Sequence, residues 1–464
     1  MMPDRALAHV QGYWPRLGAL SLAMLLSSLG TSIANVALPT LARSFDAAMA
    51  EVQWVVIAYL LAVTSLIVGA GRLGDLIGRR RLFLAGMTVF CAASALCALS
   101  PNLPVLIAAR AVQGLGGAVM MTLAVAMVGD LVPTERTGSA IGMLGTISAV
   151  GTALGPSLGG ALISLGGWPS VFAVLAALGA AAVLAGSALL PADSPSARRP
   201  AGFDLRGLIL LAFSLAAFSA VFTLGERLQT PALIGIAIAS ATGFAAFIRT
   251  ERRASAPLVR LDLLGNRALG TALASLMMVS AIVMATLVVG PFYLSGVLGL
   301  DPVRTGIVMS VGPVVAALTG IPAGRLVDRL AAYPVIVSGL VAVVVGALSL
   351  AVLPGLLGAA GYAASLAVLT FGYAMFQTAN MTAIMQRTVS ADRGLTSALL
   401  GLSRNMGLIW GASAMAALYA VGPRLAAAAG LGHTGGAGLA LVFAVSACLG
   451  AAALCATIWG RPTQ

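Results

Sequence analysis

The chain has 464 residues, of which 60% are hydrophobic and 9% charged, with a formal net charge of +12. An ordinary soluble domain carries about 25% charged residues, so this chain lacks the charge to coat a water-facing surface and its composition fits a polytopic membrane protein. All 26 basic residues are Arg, which excludes a P-loop lysine and Schiff-base chemistry; His9 and His433 lie outside the long apolar runs, against a membrane-embedded metal or His acid–base site.

A spanning helix needs about 20 mostly apolar residues. Fourteen runs qualify: 17–39, 54–74, 82–100, 104–128, 138–163, 168–190, 205–225, 231–249, 268–294, 303–323, 334–353, 360–385, 395–419 and 437–459. The first carries Thr31, Ser32 and Asn35 and closes on Pro39. Between the second and third lies Gly71-Arg72-Leu73-Gly74-Asp75, followed by Gly78 and the run Arg79-Arg80-Arg81. The fourth holds Arg110 and Gln113 and ends near Asp130. The fifth carries Gly151, Gly155-Pro156 and Gly159, three glycines at helical spacing that line one face, with a proline to bend it. Charged linkers flank the seventh and eighth runs. The tenth ends in Gly324-Arg325-Leu326-Val327-Asp328, and the thirteenth holds Arg404 and Asn405. The four cysteines lie within apolar runs and read as packing residues. The N-terminus shows no signal-peptide cleavage pattern.

The tract Gly-Arg-Leu-x-Asp occurs twice, 253 residues apart. A six-helix unit takes roughly 190 residues, so the surplus of roughly 60 fits two further helices. The expected plan is six, two and six: residues 1–190, an insert at 191–267, and 268–464. Paired six-helix halves with a substrate site between them are the repeat logic of secondary transporters. With the N-terminus in the cytoplasm, twenty Arg fall on the cytoplasmic side, four outside and two within helices. That bias puts both termini inside. The positive charge sits in short loops, with no basic helix or aromatic-interleaved patch, so no nucleic-acid partner is expected.

These tracts resemble the major facilitator superfamily, in its fourteen-helix branch of drug/proton antiporters, over nearly the whole chain. The expected fold is an all-α polytopic membrane protein of two six-helix halves plus two inserted helices. The resemblance makes 71–81 the cytoplasmic signature, with Asp75, Arg72, Arg79, Asp130 and Asp328 as gating or coupling residues. It makes Arg110 a proton-coupling or substrate-contact residue; from the residues alone, structural glue to backbone carbonyls stays open. It makes Gly155-Pro156 the antiporter signature associated with export. The run Ser32-Ile33-Ala34-Asn35-Val36-Ala37-Leu38-Pro39 resembles the fourteen-helix branch specifically, and there the chain departs from it: Gly30 stands where members have an Asp.

None of the fourteen acids sits mid-helix. Arg cannot itself carry the proton, so coupling is expected through Asp75 or Asp130, through an ionisable substrate, or not at all. Two buried Arg repel cations and favour neutral or anionic amphiphiles. The expected substrate contacts are Thr31, Asn35, Tyr59, Arg110, Gln113, Met284, Tyr293, Gln377, Asn380, Arg404 and Asn405. The functional expectation is export of amphiphilic small molecules by alternating access, coupled to protons; the alternative is proton-independent uniport or exchange of an organic anion through Arg110 and Arg404. No enzyme site, metal or cofactor is expected beyond the proton as coupling ion. The partners are a small-molecule substrate and the lipid bilayer, the working unit a monomer, and the location a cell inner membrane. The Arg-only, Ala- and Gly-rich composition points to a bacterial source.

Overall fold

The computed structural model describes residues 4–132, 137–193, 204–224, 230–254, 266–387, 393–428 and 436–459, and every regular element among them is a helix. The first group is α1 (Asp4–Ser44), the single turn α2 (Met49–Val52), α3 (Trp54–Ile77), α4 (Arg79–Ala98), α5 (Leu103–Leu131) and α6 (Thr137–Leu189). A helix pair, α7 (Leu205–Thr223) and α8 (Thr230–Glu251), follows. The last group is α9 (Arg267–Gly296), α10 (Pro302–Leu330), α11 (Ala332–Arg387), α12 (Arg393–Trp410), α13 (Ala416–Ala428) and α14 (Ala437–Trp459). A π-helical turn, Gly411–Met415, joins α12 to α13.

Short polar residues set several helix starts. Asn102 accepts a hydrogen bond from Val105 N at 3.0 Å, Asp204 from Gly207 N at 2.8 Å, Asn266 from Ala268 N at 3.0 Å and Asp301 from Arg304 N at 2.8 Å. Each satisfies an amide that the first turn leaves without a partner. Two of these four caps are acids.

Among the described residues twelve stretches are long and apolar enough to cross a membrane, and two of these, in α6 and α11, run to 47 and 55 residues. At 1.5 Å per residue each is about twice as long as a bilayer's hydrocarbon core. Glycines break both. Gly167 takes φ +69° and ψ −176°, and Gly358 takes φ +59° and ψ −135°, conformations open to a residue without Cβ. Ser170 donates to the carbonyls of Leu162 and Gly167 at 2.7 and 2.6 Å, satisfying acceptors that the break frees. The runs expected separately at 138–163 and 168–190 are therefore two limbs of α6. Gly339 lies against Gly372 and Gly346 against Leu369, so the limbs of α11 fold back on each other. The thirteenth run, expected to end at 419, continues to Ala428 through the π turn.

Within the first group α1 packs along α6, α3 against α5, and α4 against α5 and α6. Within the last, α9 packs against α12 and α14, and α11 against α10 and α14. The groups meet chiefly along α6 and α10, with smaller contacts of α1 with α9 and α3 with α12. The pair α7–α8 leans on α3 and the π turn, fixed by Trp54 Nε1 donating to Thr223 Oγ1 at 3.0 Å and by Phe218 stacked on Trp410 at 4.9 Å.

The bundle has two unlike ends. Call the one holding Asp75, Asp130 and Asp328 the near end. At the far end, Gly160 of α6 is pressed on the Pro302 carbonyl of α10, and Gly306 of α10 on the Pro156 carbonyl of α6. On the same two helices toward the near end, Gly145, Gly320 and Gly324 have nothing within 4 Å of where a Cβ would stand. The seam is tight at the far end, while these near-end glycines have open space beside them.

A methyl at position 160 has no room beside Pro302. Gly160→Ala is expected to weaken the far seam by about 1–3 kcal/mol, and Gly145→Ala to leave it intact. Hydrogen–deuterium exchange on the reconstituted protein checks this: peptides covering 156–164 and 302–310 should exchange faster in the first variant only.

Candidate functional site

Arg110 lies about 10 Å inside α5, counting 1.5 Å per residue from Leu103, and its side chain is wholly buried. Its Nε donates to the Val55 carbonyl of α3 at 2.8 Å, and Nη2 to the Gly30 carbonyl of α1 at 3.1 Å. Nη1 donates to Oε1 of Gln113, one turn along the same helix. The guanidinium lies 4.3 Å from the ring centre of Tyr59 and 5.8 Å from that of Phe172, a cation–π arrangement. A relay continues outward: Gln113 Nε2 donates to Ser94 Oγ at 2.7 Å, Ser94 to the Phe90 carbonyl at 2.6 Å, and Tyr59 to the Ser27 carbonyl at 2.9 Å. Among the described residues no carboxylate bonds to Arg110.

The position expected to hold an acid explains this. A Cβ on Gly30 would stand 3.1 Å from Phe90 Cζ and 3.4 Å from the Tyr59 hydroxyl oxygen. The space of an aspartate side chain is taken by two aromatic rings, and the glycine offers its carbonyl instead. Charge-assisted bonds of this kind are about twice as strong as neutral ones, and together they solvate a charge that is costly to bury unpaired. Arg110, Gln113 and Tyr59 are thus turned toward protein groups, and none of the three is exposed.

At the near end, Arg79 is the centre of an ion-pair cluster. Its Nη2 lies 2.9 Å from Asp75 Oδ1 and its Nη1 2.8 Å from Asp130 Oδ2, and Nη1 also reaches the Ala126 carbonyl at 3.3 Å. The cluster joins the ends of α3 and α5. All three side chains are a third to a half exposed, a setting in which each pair contributes about 0–1 kcal/mol, so the cluster can rearrange at little cost. Arg72 is half-buried and Asp328 exposed.

The neighbouring Arg80 does something its position in a basic run does not announce. Its backbone N donates to Asp193 Oδ1 at 2.7 Å, and Arg81 N donates to Oδ2 at 3.1 Å, so Asp193 caps α4. The Arg80 side chain returns the contact, donating to the carbonyls of Leu190 and Ser187 at 2.9 Å each. A carboxylate on a helix N-terminus faces a guanidinium on a helix C-terminus, both favoured by the helix dipoles. Gly78, at φ +104°, leaves room for Asp193 where a Cβ would clash. In the sequence Asp193 is a lone acid after an apolar run, with no motif to mark it.

The glycine face of α6 meets α1. Gly155 is pressed on Ser32 and Ile33, and Gly151 on Leu25 and Ser28. Pro156 points the other way, its carbonyl against Gly306 of α10. One helix therefore carries a seam within its group and a second seam between groups.

The other expected contacts are dispersed. Asn35 is fully buried, with Nδ2 donating to the Thr31 and Ser32 carbonyls at 3.2 Å; Thr31 is part exposed. Met284 and Tyr293 are buried in α9, Tyr293 lying 6.3 Å from Tyr362 ring to ring. Asn380 of α11 donates to the Ala272 carbonyl at 3.3 Å, and Asn405 of α12 is buried. Gln377 and Arg404 are half-buried, and neither makes a hydrogen bond or ion pair with a described residue. Tyr373, near Arg404, was not among the expected contacts.

Comparison with known proteins fits this architecture. The Major Facilitator Superfamily profile matches residues 20–412. The riboflavin transporter RibZ of Clostridioides difficile is 28% identical over 409 residues, 88% of each chain. The multidrug resistance protein Stp of Mycobacterium tuberculosis is 30% identical over 405 residues, 87% of this chain and 75% of that one. The crystal structure of a D-xylose–proton symporter covers 97% of this chain and 98% of its own, with a TM-score of 0.69 at 14% identity, a likeness of fold.

Removing the Arg110 guanidinium strands two backbone carbonyls and Gln113 in the interior. Arg110→Ala is expected to cost about 3 kcal/mol or more of stability, whereas Arg404→Ala, which breaks no bond to a described residue, should change it by under about 1 kcal/mol. Thermal unfolding of the two variants in neutral detergent checks this.

Proposed function

The chain belongs to the major facilitator superfamily, and we propose that within it the protein exports amphiphilic small molecules by alternating access, coupled to protons. The family makes it a multi-pass membrane transporter and not an enzyme. The finer reading is six, two and six crossings: residues 1–190, an insert at 191–267, and 268–464. Counting each broken helix, α6 and α11, as two limbs supports fourteen crossings, the number of the drug/proton antiporter branch. The Arg bias of the loops supports a cytoplasmic near end, with both termini inside a bacterial inner membrane. The protein works as a monomer with no cofactor.

The observation that carries this reading is the one-sided α6–α10 seam, closed at Pro156, Gly160, Pro302 and Gly306 and open at Gly145, Gly320 and Gly324. With the near end inside, this is a carrier closed to the outside and open to the cytoplasm, the state in which an exporter loads. Rocking about the Gly155-Pro156 region of α6 would exchange the open end. The cluster of Arg79, Asp75 and Asp130, with Arg72 nearby and Asp328 in the matching tract, would gate the cytoplasmic end and carry the coupled proton. The relative named as a multidrug resistance protein supports export of amphiphiles.

One observation favours the second reading, proton-independent uniport or exchange of an organic anion. Every described carboxylate stands at a helix end or in a loop, so the interior offers cations and no acid.

Purified protein in liposomes with an internal pH dye separates the readings. Matched cationic, neutral and anionic amphiphiles are supplied, and substrate movement and proton flux are recorded together. Proton-coupled export predicts that at least one class drives counterflow of protons, abolished in Asp75→Asn. Movement of the anion alone, without proton flux, would replace it with the second reading; movement of no class would sink both.

A further inference from the structure

Arg110 and Arg404, the cations that lie deep in apolar runs of the sequence, are placed in opposite ways. Arg110 is wholly buried, and each of its three nitrogens donates to a protein oxygen. Arg404 lies in the 399–428 apolar stretch, half-buried, and bonds to no described residue. Its helix is nevertheless fixed. The preceding Ser403 donates to the Leu273 carbonyl of α9, and Gly407 is pressed on the Met277 backbone. Those two contacts hold one face of α12 on α9 and turn Arg404 from it. Three residues back, on the side of the helix that Arg404 shares, Gly401 has nothing within 4 Å of a Cβ position. Open space therefore adjoins the guanidinium.

Tyr373 of α11 lies close enough for the Arg404 charge to act on its hydroxyl. Gln377, one turn further along α11, shares that face; it too is half-buried and bonds to no described residue. A permanent cation at membrane depth is costly unless it is paired. Every described carboxylate is at a helix end or in a loop, so among the described residues none supplies a counter-charge within the spans.

We propose that Arg404, with Tyr373 and Gln377 beside it, is the docking point for the anionic head of an amphiphilic substrate, a carboxylate, sulfonate or phosphate monoester. This rests on the transport reading and narrows it, since the anion is held by Arg404 while Arg110 stays bonded within the protein. An anionic lipid headgroup presents the same chemistry and is the rival source of the anion.

The test uses the full chain in neutral maltoside detergent, with decanoate and methyl decanoate as a matched charged and uncharged pair, read by tryptophan fluorescence and thermal shift. Wild type should bind decanoate about tenfold more tightly than the ester, the worth of one charge-assisted contact. Arg404→Gln should erase that preference. Arg404→Lys should retain part of it, keeping the charge but losing the planar fork. Equal decanoate affinity in wild type and Arg404→Gln, or no preference in wild type, overturns the proposal. Repeating the titration in nanodiscs with and without phosphatidylglycerol separates the sources: undiminished decanoate binding supports the substrate site, and competition by the lipid overturns it in favour of a lipid site. Binding here needs no transport. An Arg404-dependent preference with no flux of any amphiphile would therefore reject the transport reading alone, and flux without the preference would reject this site alone.

Discussion

A guanidinium that never loses its proton must be solvated by protein once it leaves water. Arg110 meets that demand with the carbonyls of Gly30 and Val55, the amide of Gln113 and the ring of Tyr59. These groups come from α1, α3 and α5, and the relay through Ser94 adds α4. One buried charge thus fixes the mutual placement of four helices in their far halves. The near end of the same group is tied independently, by Asp193 and Arg80 across α4 and α6. Rocking of one half against another requires each half to hold its shape, and these ties give the first group that property.

The movable parts are built from different material. Where α6 meets α1 and where it meets α10, glycine and proline bring backbone against backbone, with Gly155 on Ile33 and Gly160 on Pro302. Such seams are held by close backbone approach, which small residues permit. The ion pairs that bridge the near end are half-exposed and individually weak. The stiffness of the group and the close approach at its seams therefore arise from separate residues, and a change to one need not disturb the other.

Much of this was legible in the sequence. Apolar run lengths locate the spans, because a bilayer of fixed thickness demands them. A lone Arg inside a run marks itself, since such a charge is retained only with a purpose. The partners of that Arg were not legible. Gly30 reads as a missing acid, yet its consequence depends on Phe90, sixty residues away, filling the space. Glycines spaced four apart announce a close approach, but not whether α1 or α10 makes it. Asp193 carries no pattern at all, because a helix cap on a distant helix is a tertiary fact. Arg404 reads like Arg110 in sequence, and only the placement of Ser403, Gly401 and Tyr373 around it tells the two apart.

An interior with cations and no acid bears on what can drive export. A midplane carboxylate lets proton and substrate compete for one site; without it, that form of exchange has no place to occur. An anionic substrate does not need it. Across an inside-negative membrane, a monoanion moving outward gains about 2.3 kcal/mol per 100 mV, which sustains a gradient of roughly fiftyfold. On the proposed docking, Arg404 moves with the carrier and not across it, so its charge serves to hold the anion while the potential supplies the work. A cationic amphiphile faces the opposite sign on both counts, repelled by the interior and drawn back by the potential, and would need the proton gradient to leave. On that proposal the charge of the substrate and the need for coupling are one question, decided by the residues around Arg404.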